Sequence, residues 1–146
     1  MFLFKKITIE NFKSISKATL NLDNQGLVLI EGRNETNNTF QSNGSGKSSL
    51  LEAITYALYD TTPSGVTADK VVNKNVGKNT KVELSIEINN LPYTITRYRK
   101  HSKFKNTVKL YQGELNLTGK SVKDTNEKIL KLFGIDYTTY LNSIMY

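Results

Sequence analysis

Ser42-Asn43-Gly44-Ser45-Gly46-Lys47-Ser48-Ser49 places a glycine-rich turn, a lysine and two adjacent hydroxyls between an apolar stretch and an amphipathic one. Upstream, Leu27-Val28-Leu29-Ile30 reads as a buried strand running to Glu31. Downstream, Leu50, Leu51, Ile54 and Leu58 recur at helical spacing and predict a helix from Lys47 to about Tyr59. Strand, glycine turn and helix in that order make a phosphate-binding unit. Gly44 and Gly46 let the backbone turn its N–H groups inward, and the helix offers its positive end to the same anion. In this reading the amides of Asn43 to Gly46 cradle phosphates and Lys47 reaches the β- and γ-phosphates. Ser48 gives its hydroxyl to Mg²⁺, and Ser49 is a structural partner.

The strict spacing G-x-x-x-x-G-K-[ST] is not met, because Gln41 stands five positions before Gly46 and the nearest upstream glycine is Gly32. Gly32-Arg33 then forms the first half of the loop and Asn43 to Ser48 the second, with Asn34 to Ser42 as an insertion between them. A second Gly-Lys-Ser, at Gly119-Lys120-Ser121, lacks both the glycine run and a long apolar strand ahead of it. There Ser121 reads as a helix N-cap with Asp124 as its capping-box partner.

With 146 residues and 38% hydrophobic content, the chain has room for one domain with a core and no second. No apolar run reaches bilayer length and no secretory signal opens the chain, so a soluble protein is expected. Cysteine is absent and His101 is the single histidine, which excludes disulfides, thiolate metal sites and histidine metal clusters. Only a phosphate-borne Mg²⁺ is expected. The Asn-x-Thr triplets at Asn37 and Asn116 carry no meaning without secretion.

The net charge of +7 favours an anionic partner, and its distribution says more than its size. No acidic residue falls between Glu87 and Glu114, while Arg97, Arg99, Lys100, Lys103, Lys105 and Lys109 accumulate among Tyr93, Tyr98, Phe104 and Tyr111. Such interleaving suits contact with a phosphate backbone. It equally suits a solvated sheet face whose lysines oppose edge pairing. Alternation puts Tyr93, Ile95, Arg97 and Arg99 on one side of a strand and Tyr98 and Lys100 on the other, so a strand no more than partly buried is expected.

Along the chain, strands are predicted at Phe2 to Glu10, Ala18 to Leu22, Leu27 to Glu31, Lys81 to Ile88, Pro92 to Lys100, Lys105 to Tyr111 and Glu114 to Leu117. Asn89-Asn90 and Gln112-Gly113 are the hairpin turns. Thr61 to Gly65 breaks the first helix, and Ala68 to Asn73 is a short turn or helix. Val122, Ile129, Leu130 and Phe133 mark a second helix closed by Gly134, and Asp136 caps a third. The fold class is α+β: an antiparallel, strand-rich layer beside one strand, P-loop and helix unit.

Taken together, these segments resemble the N-terminal half of the ATPase head in the SbcC or Rad-fifty family, the SMC-like branch of ABC ATPases acting in DNA repair and recombination. Ile7-Thr8-Ile9-Glu10-Asn11-Phe12-Lys13-Ser14 resembles the family's opening strand and its Asn-Phe-basic-Ser motif, which implies that Lys13 and Ser14 are auxiliary phosphate contacts. Ser49-Leu50-Leu51-Glu52-Ala53-Ile54 resembles the start of its first helix, Tyr93-Thr94-Ile95-Thr96-Arg97 its Tyr-x-Ile-x-Arg strand, and Phe133 to Tyr146 the lead-in to its Q-loop. The short, interrupted phosphate loop is similar to that of phage-encoded exonuclease subunits, which is compatible with a viral source and a host-cytoplasmic site of action.

The resemblance implies ATP and Mg²⁺ as ligands. As partners it implies a C-terminal ATPase lobe, a second head dimerising on ATP, a nuclease subunit and double-stranded DNA, with no membrane. Residues 1–146 then form an N-terminal lobe, without coiled coil, zinc-hook cysteines, signature motif or Walker B acidic pair. Lacking a carboxylate to hold the metal and orient water, such a lobe binds nucleotide better than it hydrolyses it. Two rival readings stay open. One is a self-sufficient small kinase or NTPase drawing its carboxylate from Glu31, Glu35 or Asp60. The other is a non-enzymatic nucleic-acid-binding module built on the segment from Arg97 to Lys109.

Overall fold

The computed structural model describes residues 2–22 and 44–143, with side chains of the first helix from Leu51 onward. The expected strand Leu27 to Glu31, the half-loop Gly32-Arg33, the insertion and Asn43 lie outside the described residues. Six strands form one antiparallel sheet in the order β2-β1-β3-β4-β5-β6. They are β1 (Phe2–Phe12), β2 (Ile15–Asn21), β3 (Thr80–Ile88), β4 (Leu91–Arg99), β5 (Val108–Gln112) and β6 (Leu115–Asn116). Three α-helices accompany them, α1 (Gly44–Tyr59), α2 (Val122–Phe133) and α3 (Tyr137–Ser143), with a 3-10 turn at Ala68–Val71. Among the described residues no helix is long and apolar enough to cross a membrane.

Local chemistry sets most element ends. Asn89 and Asn90 both adopt positive φ (52° and 69°), the geometry of a two-residue hairpin turn whose twist matches its strands, and pair Ile88 with Leu91. The next turn falls one residue later than expected, on Gly113 and Glu114, because Gly113 takes the positive φ of 60°. Ser121 caps α2 by accepting from the Asp124 amide (3.1 Å), and Asp124 in turn accepts from the Lys120 amide (2.9 Å). Gly134 ends α2 in the left-handed region (φ 75°), its N–H donating to Leu130 O. Asp136 accepts from the Thr139 amide at 2.7 Å, and these amide bonds hold its carboxyl below the usual range.

The core lies on one face of the sheet. Ile7 and Ile9 of β1, Val82, Leu84 and Ile86 of β3, and Leu110 of β5 meet Ala53, Ile54, Ala57 and Leu58 of α1 and Ile129 and Phe133 of α2. The buried side of α2 is the stripe Thr125, Ile129 and Phe133, spaced by four. Val122 and Leu130 sit outside that stripe and are exposed. α1 is buried on every side from Glu52 to Leu58, more than a single apolar face predicts, because α2 and α3 cover the flank that the sheet leaves open. The Tyr59 hydroxyl donates to Ile135 O, the Tyr137 hydroxyl to Thr62 O (2.8 Å), and the Thr55 hydroxyl to Tyr140 (3.2 Å).

β4 is partly buried, as expected: Tyr93, Ile95, Thr96 and Arg97 are enclosed, while Leu91 and Pro92 are exposed and Thr94, Tyr98 and Arg99 half-buried. Two expectations about the basic segment are corrected. Arg97, expected on a basic surface, is only 2% exposed. Its Nε donates to Ala57 O (2.9 Å), a carbonyl in the last turn of α1 that lacks an intrahelical partner, and Asp60 Oδ1 lies 4.0 Å from its Nη1. The guanidinium carbon stands 5.9 Å from the Tyr56 ring centroid, while Nη2 has no hydrogen-bond partner. Burial lowers the Arg97 pKa, with Asp60 and Tyr56 opposing. Arg97 is therefore a cap on the C-terminal end of α1. The other correction concerns β5, which starts at Val108: Lys100 and Lys105 adopt positive φ (49° and 59°), folding residues 100–107 into a projecting loop.

Arg97→Ala leaves a cavity and an unpaired carbonyl, and urea unfolding is expected to read a loss of about 2–4 kcal/mol. Lys103→Ala stays within about 0.5 kcal/mol of the parent. A second outcome concerns alkaline pH. Burial, then the Asp60 carboxylate, pushes Tyr56 up to about 12, and burial pushes Tyr140 up to about 12 against its Thr55 hydrogen bond. The folded state thus holds both phenols neutral. Their contribution is complete below the unfolded value of about 10 and is lost as pH rises through about 12. Urea titrations from pH 9 upward should show stability falling by roughly 2 kcal/mol per tyrosine, with a shallower fall in Tyr140→Phe.

Candidate nucleotide site and basic surface

α1 begins at Gly44, three residues before the expected start at Lys47. Gly44 to Gly46 thus belong to the first turn, and the amides of Gly44, Ser45 and Gly46 have no intrahelical acceptor. That turn contains no acidic residue, so no carboxylate of the turn itself offsets the positive end of the helix. Ser48 and Ser49 follow in the second turn. The geometry available to an anion is a set of converging backbone donors at the head of a buried helix.

The second part of the site is the turn between β1 and β2. Asn11 and Lys13 both hold positive φ (53° and 52°), and a set of tertiary bonds maintains that conformation. Asn11 O accepts from the Asn73 amide (3.0 Å) and the Thr80 hydroxyl (2.6 Å), and Asn11 Nδ2 donates to Asn79 O (3.0 Å). Lys13 N donates to Val71 O (2.7 Å), and Asn73 Nδ2 donates to Lys13 O (2.9 Å). Phe12 between them is buried against Tyr56 of α1, with ring centroids 5.4 Å apart. Beyond the turn, Lys13 Nζ forms an ion pair with Glu52 of α1.

Lys13 and Ser14 also line a cavity of about 450 Å³ with Lys70, Val72, Asn73, Lys74 and Asn75. Three of its lining residues are cationic and none is acidic, so it suits an anionic or polar ligand. The side chain of Asn73 is fully engaged, its Oδ1 accepting from the amides of Asn75 and Val76 (2.9 and 3.2 Å) while its Nδ2 holds Lys13 O. Sequence reading assigned no role to Glu52; its signal was a carboxylate four positions after Ser48 inside an otherwise apolar run.

The carboxylates considered as metal holders fare differently. Asp60 follows the far end of α1, about 24 Å from the first turn by helical rise, and faces Arg97. It is thereby removed as a water-orienting group at the phosphate loop. Glu31 and Glu35 lie outside the described residues. Among the described residues no three His, Asp or Glu side chains gather into a metal cluster.

The basic candidates are also sorted by the fold. Arg97 is buried, and Arg99 Nε donates to Asp69 Oδ1 at 2.8 Å. Around the projecting loop, Phe104 stacks on Tyr98 at 4.4 Å, and Lys109 Nζ and Lys103 Nζ stand 4.1 and 5.3 Å from the Phe104 centroid. Lys100, Lys103 and Lys105 are exposed. Antiparallel register brings carboxylates to this strand that its own sequence lacks: Glu83 pairs with Thr96, and burial together with Glu83 and Glu10 raises the Tyr98 pKa. Of the basic candidates, the exposed ones are therefore those of the loop from Lys100 to Lys105, while carboxylates from the neighbouring strand interrupt the positive charge on the sheet beside them.

A family model described as "AAA domain" matches residues 6–145. The chain is 32% identical over 143 residues to a DNA double-strand break repair Rad50 ATPase of Methanocaldococcus jannaschii, covering 97% of this chain and 13% of that protein. It is 30% identical over 141 residues to exonuclease subunit 2 of Enterobacteria phage T4, covering 95% and 23%. The chain thus spans less than a quarter of either relative. Among solved structures, the recombination mediator protein RecF superposes with a TM-score of 0.58 at 18% identity, over 88% of this chain and 30% of RecF, and so shares the fold. With a family match over almost its full length and these relatives aligned through the β1–β2 turn and α1, the chain belongs to the AAA domain family, in the group that includes the Rad50 repair ATPases and the phage exonuclease subunit.

Proposed function

We propose that this chain is the N-terminal, ATP-binding lobe of a Rad50- or SbcC-type ATPase head that works with a nuclease subunit on double-stranded DNA breaks. The observation that carries the reading is the convergence of two elements on α1. Gly44-Ser45-Gly46-Lys47-Ser48 forms its start with no acid in the first turn, and the Lys13-Ser14 turn is tied to the same helix through Glu52. The amides of Asn43 to Gly46 hold phosphate oxygens and the Lys47 ammonium neutralises the β- and γ-phosphates. Ser48 is the Mg²⁺ ligand, consistent with an ion that takes one or two protein oxygens and keeps its waters. Lys13 and Ser14 assist, and the lysine-lined cavity beside them takes the remainder of the nucleotide. Bound Mg²⁺ supplies charge compensation on the phosphates. Gly32 and Asn43 complete the loop, and a water-orienting carboxylate comes from a C-terminal lobe, with a second head closing on ATP.

For DNA, the exposed Lys100, Lys103 and Lys105 with Lys109 form the contact surface, and Arg99 contributes from its pair with Asp69. Arg97 plays no direct part. Host cytoplasm is the site of action if the protein is phage-encoded.

Calorimetry with MgATP tests the reading. Lys47→Ala is expected to abolish measurable binding with an unchanged melting temperature, and wild-type affinity in that variant would sink the assignment. Phosphate release by the chain alone should stay near background; steady turnover would favour a self-sufficient NTPase. Replacing Lys100, Lys103 and Lys105 together by Glu is expected to weaken duplex binding by about tenfold or more at low salt. It should also reduce the salt slope by roughly one per lost phosphate contact. An unchanged slope would remove this loop from the DNA surface.

A further inference from the structure

We infer that Glu52 is a positioning residue for nucleotide binding: it holds the Lys13 ammonium against α1, and the two side chains act on nucleotide affinity as one unit. The inference rests on the phosphate-binding reading above and adds to it a residue with no assigned role.

Three observations carry it. The first is burial. Glu52 sits among Ala53, Ile54 and other enclosed side chains, with its own side chain 9% exposed against 25% for Lys13. A carboxylate in such a place costs several kcal/mol unless it is paired, and Lys13 is the cation that meets it. As a fastener alone the pair is a poor choice, because apolar side chains of similar volume would tie the turn to α1 at lower desolvation cost.

The second is asymmetry. Lys13 lines the open, lysine-rich cavity while its ammonium meets Glu52, so one partly exposed residue joins a buried anion to ligand space. The third is backbone fixation. Lys13 is held at φ 52° by bonds from its N–H to Val71 and from Asn73 to its carbonyl, so the turn itself does not re-aim the side chain. A lysine carries several rotatable bonds and about 2 kcal/mol of rotamer entropy, and only its terminal partner confines it. Glu52 lies four positions, just over one turn, after Ser48, and so shares a helix face with the proposed magnesium-ligand position.

The sign of each perturbation follows. Removing Lys13 alone deletes an attractive charge and leaves a buried carboxylate near the phosphates. Removing the Glu52 charge alone frees Lys13 to sample the cavity. Removing both takes away the attraction and the repulsion together, so the double variant binds more tightly than its singles predict.

The test is a double-mutant cycle on the full chain, reading MgATP affinity by calorimetry and unfolding temperature side by side, with Lys13→Ala, Glu52→Gln and the double variant. Lys13→Ala is expected to weaken binding about tenfold or more, and Glu52→Gln several-fold. The double variant is expected to bind at least about fivefold more tightly than the product of the single effects. Lys13→Arg, which keeps the pair, should stay within about threefold of the parent. If Glu52→Gln does not fold, Glu52→Asp replaces it in the cycle, keeping the charge while withdrawing it by one methylene. Multiplicative effects on affinity overturn the inference, as does coupling seen in unfolding temperature alone. Lys47→Ala in the same series separates the two readings. Lost binding there with a multiplicative cycle removes only the role of Glu52, whereas wild-type binding removes the phosphate site and this inference with it.

Discussion

From Glu52 to Leu58, α1 has no solvated flank, and every polar group along that length must find its partner inside the protein. Much of the structure follows from this constraint. Glu52 recruits Lys13 from the β1–β2 turn, Thr55 recruits Tyr140 from α3, and the Ala57 carbonyl recruits Arg97 from β4. Just beyond the buried run, Tyr59 reaches the chain between α2 and α3. Each contact satisfies a buried group, and each also fixes a different part of the molecule to the helix whose first turn is the proposed phosphate site. Burial of one helix thus converts local polar requirements into a global registration of sheet, turn and C-terminal helices.

How far the sequence displays these features depends on the separation of the partners. Ser121 with Asp124, Asn89 with Asn90, Gly134 and Asp136 with Thr139 act through neighbours within four positions, and their residue types announce them. The glycine-rich turn and its lysine belong to the same class. Arg97 and Glu52 do not. Their partners lie 40 and 39 positions away, and a lysine- and arginine-rich stretch reads as a surface until the fold shows one of its members capping a helix. Likewise, the acid-free interval from Glu87 to Glu114 loses its meaning once register places Glu83 opposite Thr96. Charge along a chain and charge across a sheet are different quantities, and only pairing converts one into the other.

The sheet itself carries a division of labour between its faces. The inner face is a nearly continuous apolar floor, whereas the outer face presents Thr8, Lys81, Glu83, Ser85, Thr94, Tyr98 and Lys109. Mixed charges and hydroxyls leave that face wetted, and the short two-residue β6 ends the sheet at one edge. The loop from Lys100 to Thr107 rises from this wetted face, its aromatic rings engaged with one another and with the Lys103 and Lys109 side chains. Their stacking stiffens the loop that displays the lysines.

The placement of β1 has a consequence for how the chain reaches this structure. β1 is interior to the sheet, yet it pairs on one side with β2, directly next in sequence, and on the other with β3, where Phe2 meets Ile88. The hairpins β1–β2, β3–β4 and β4–β5 close through short connections, whereas joining β1 to β3 encloses α1 and all the chain around it. Closure of such a long loop carries an entropic cost that local hairpins escape, and non-local pairings of this kind slow folding. During synthesis the β1–β2 ribbon and α1 wait without their floor until β3 has emerged. α1 is thus enclosed late, and its apolar sides stay open to misassociation until the second half of the sheet arrives.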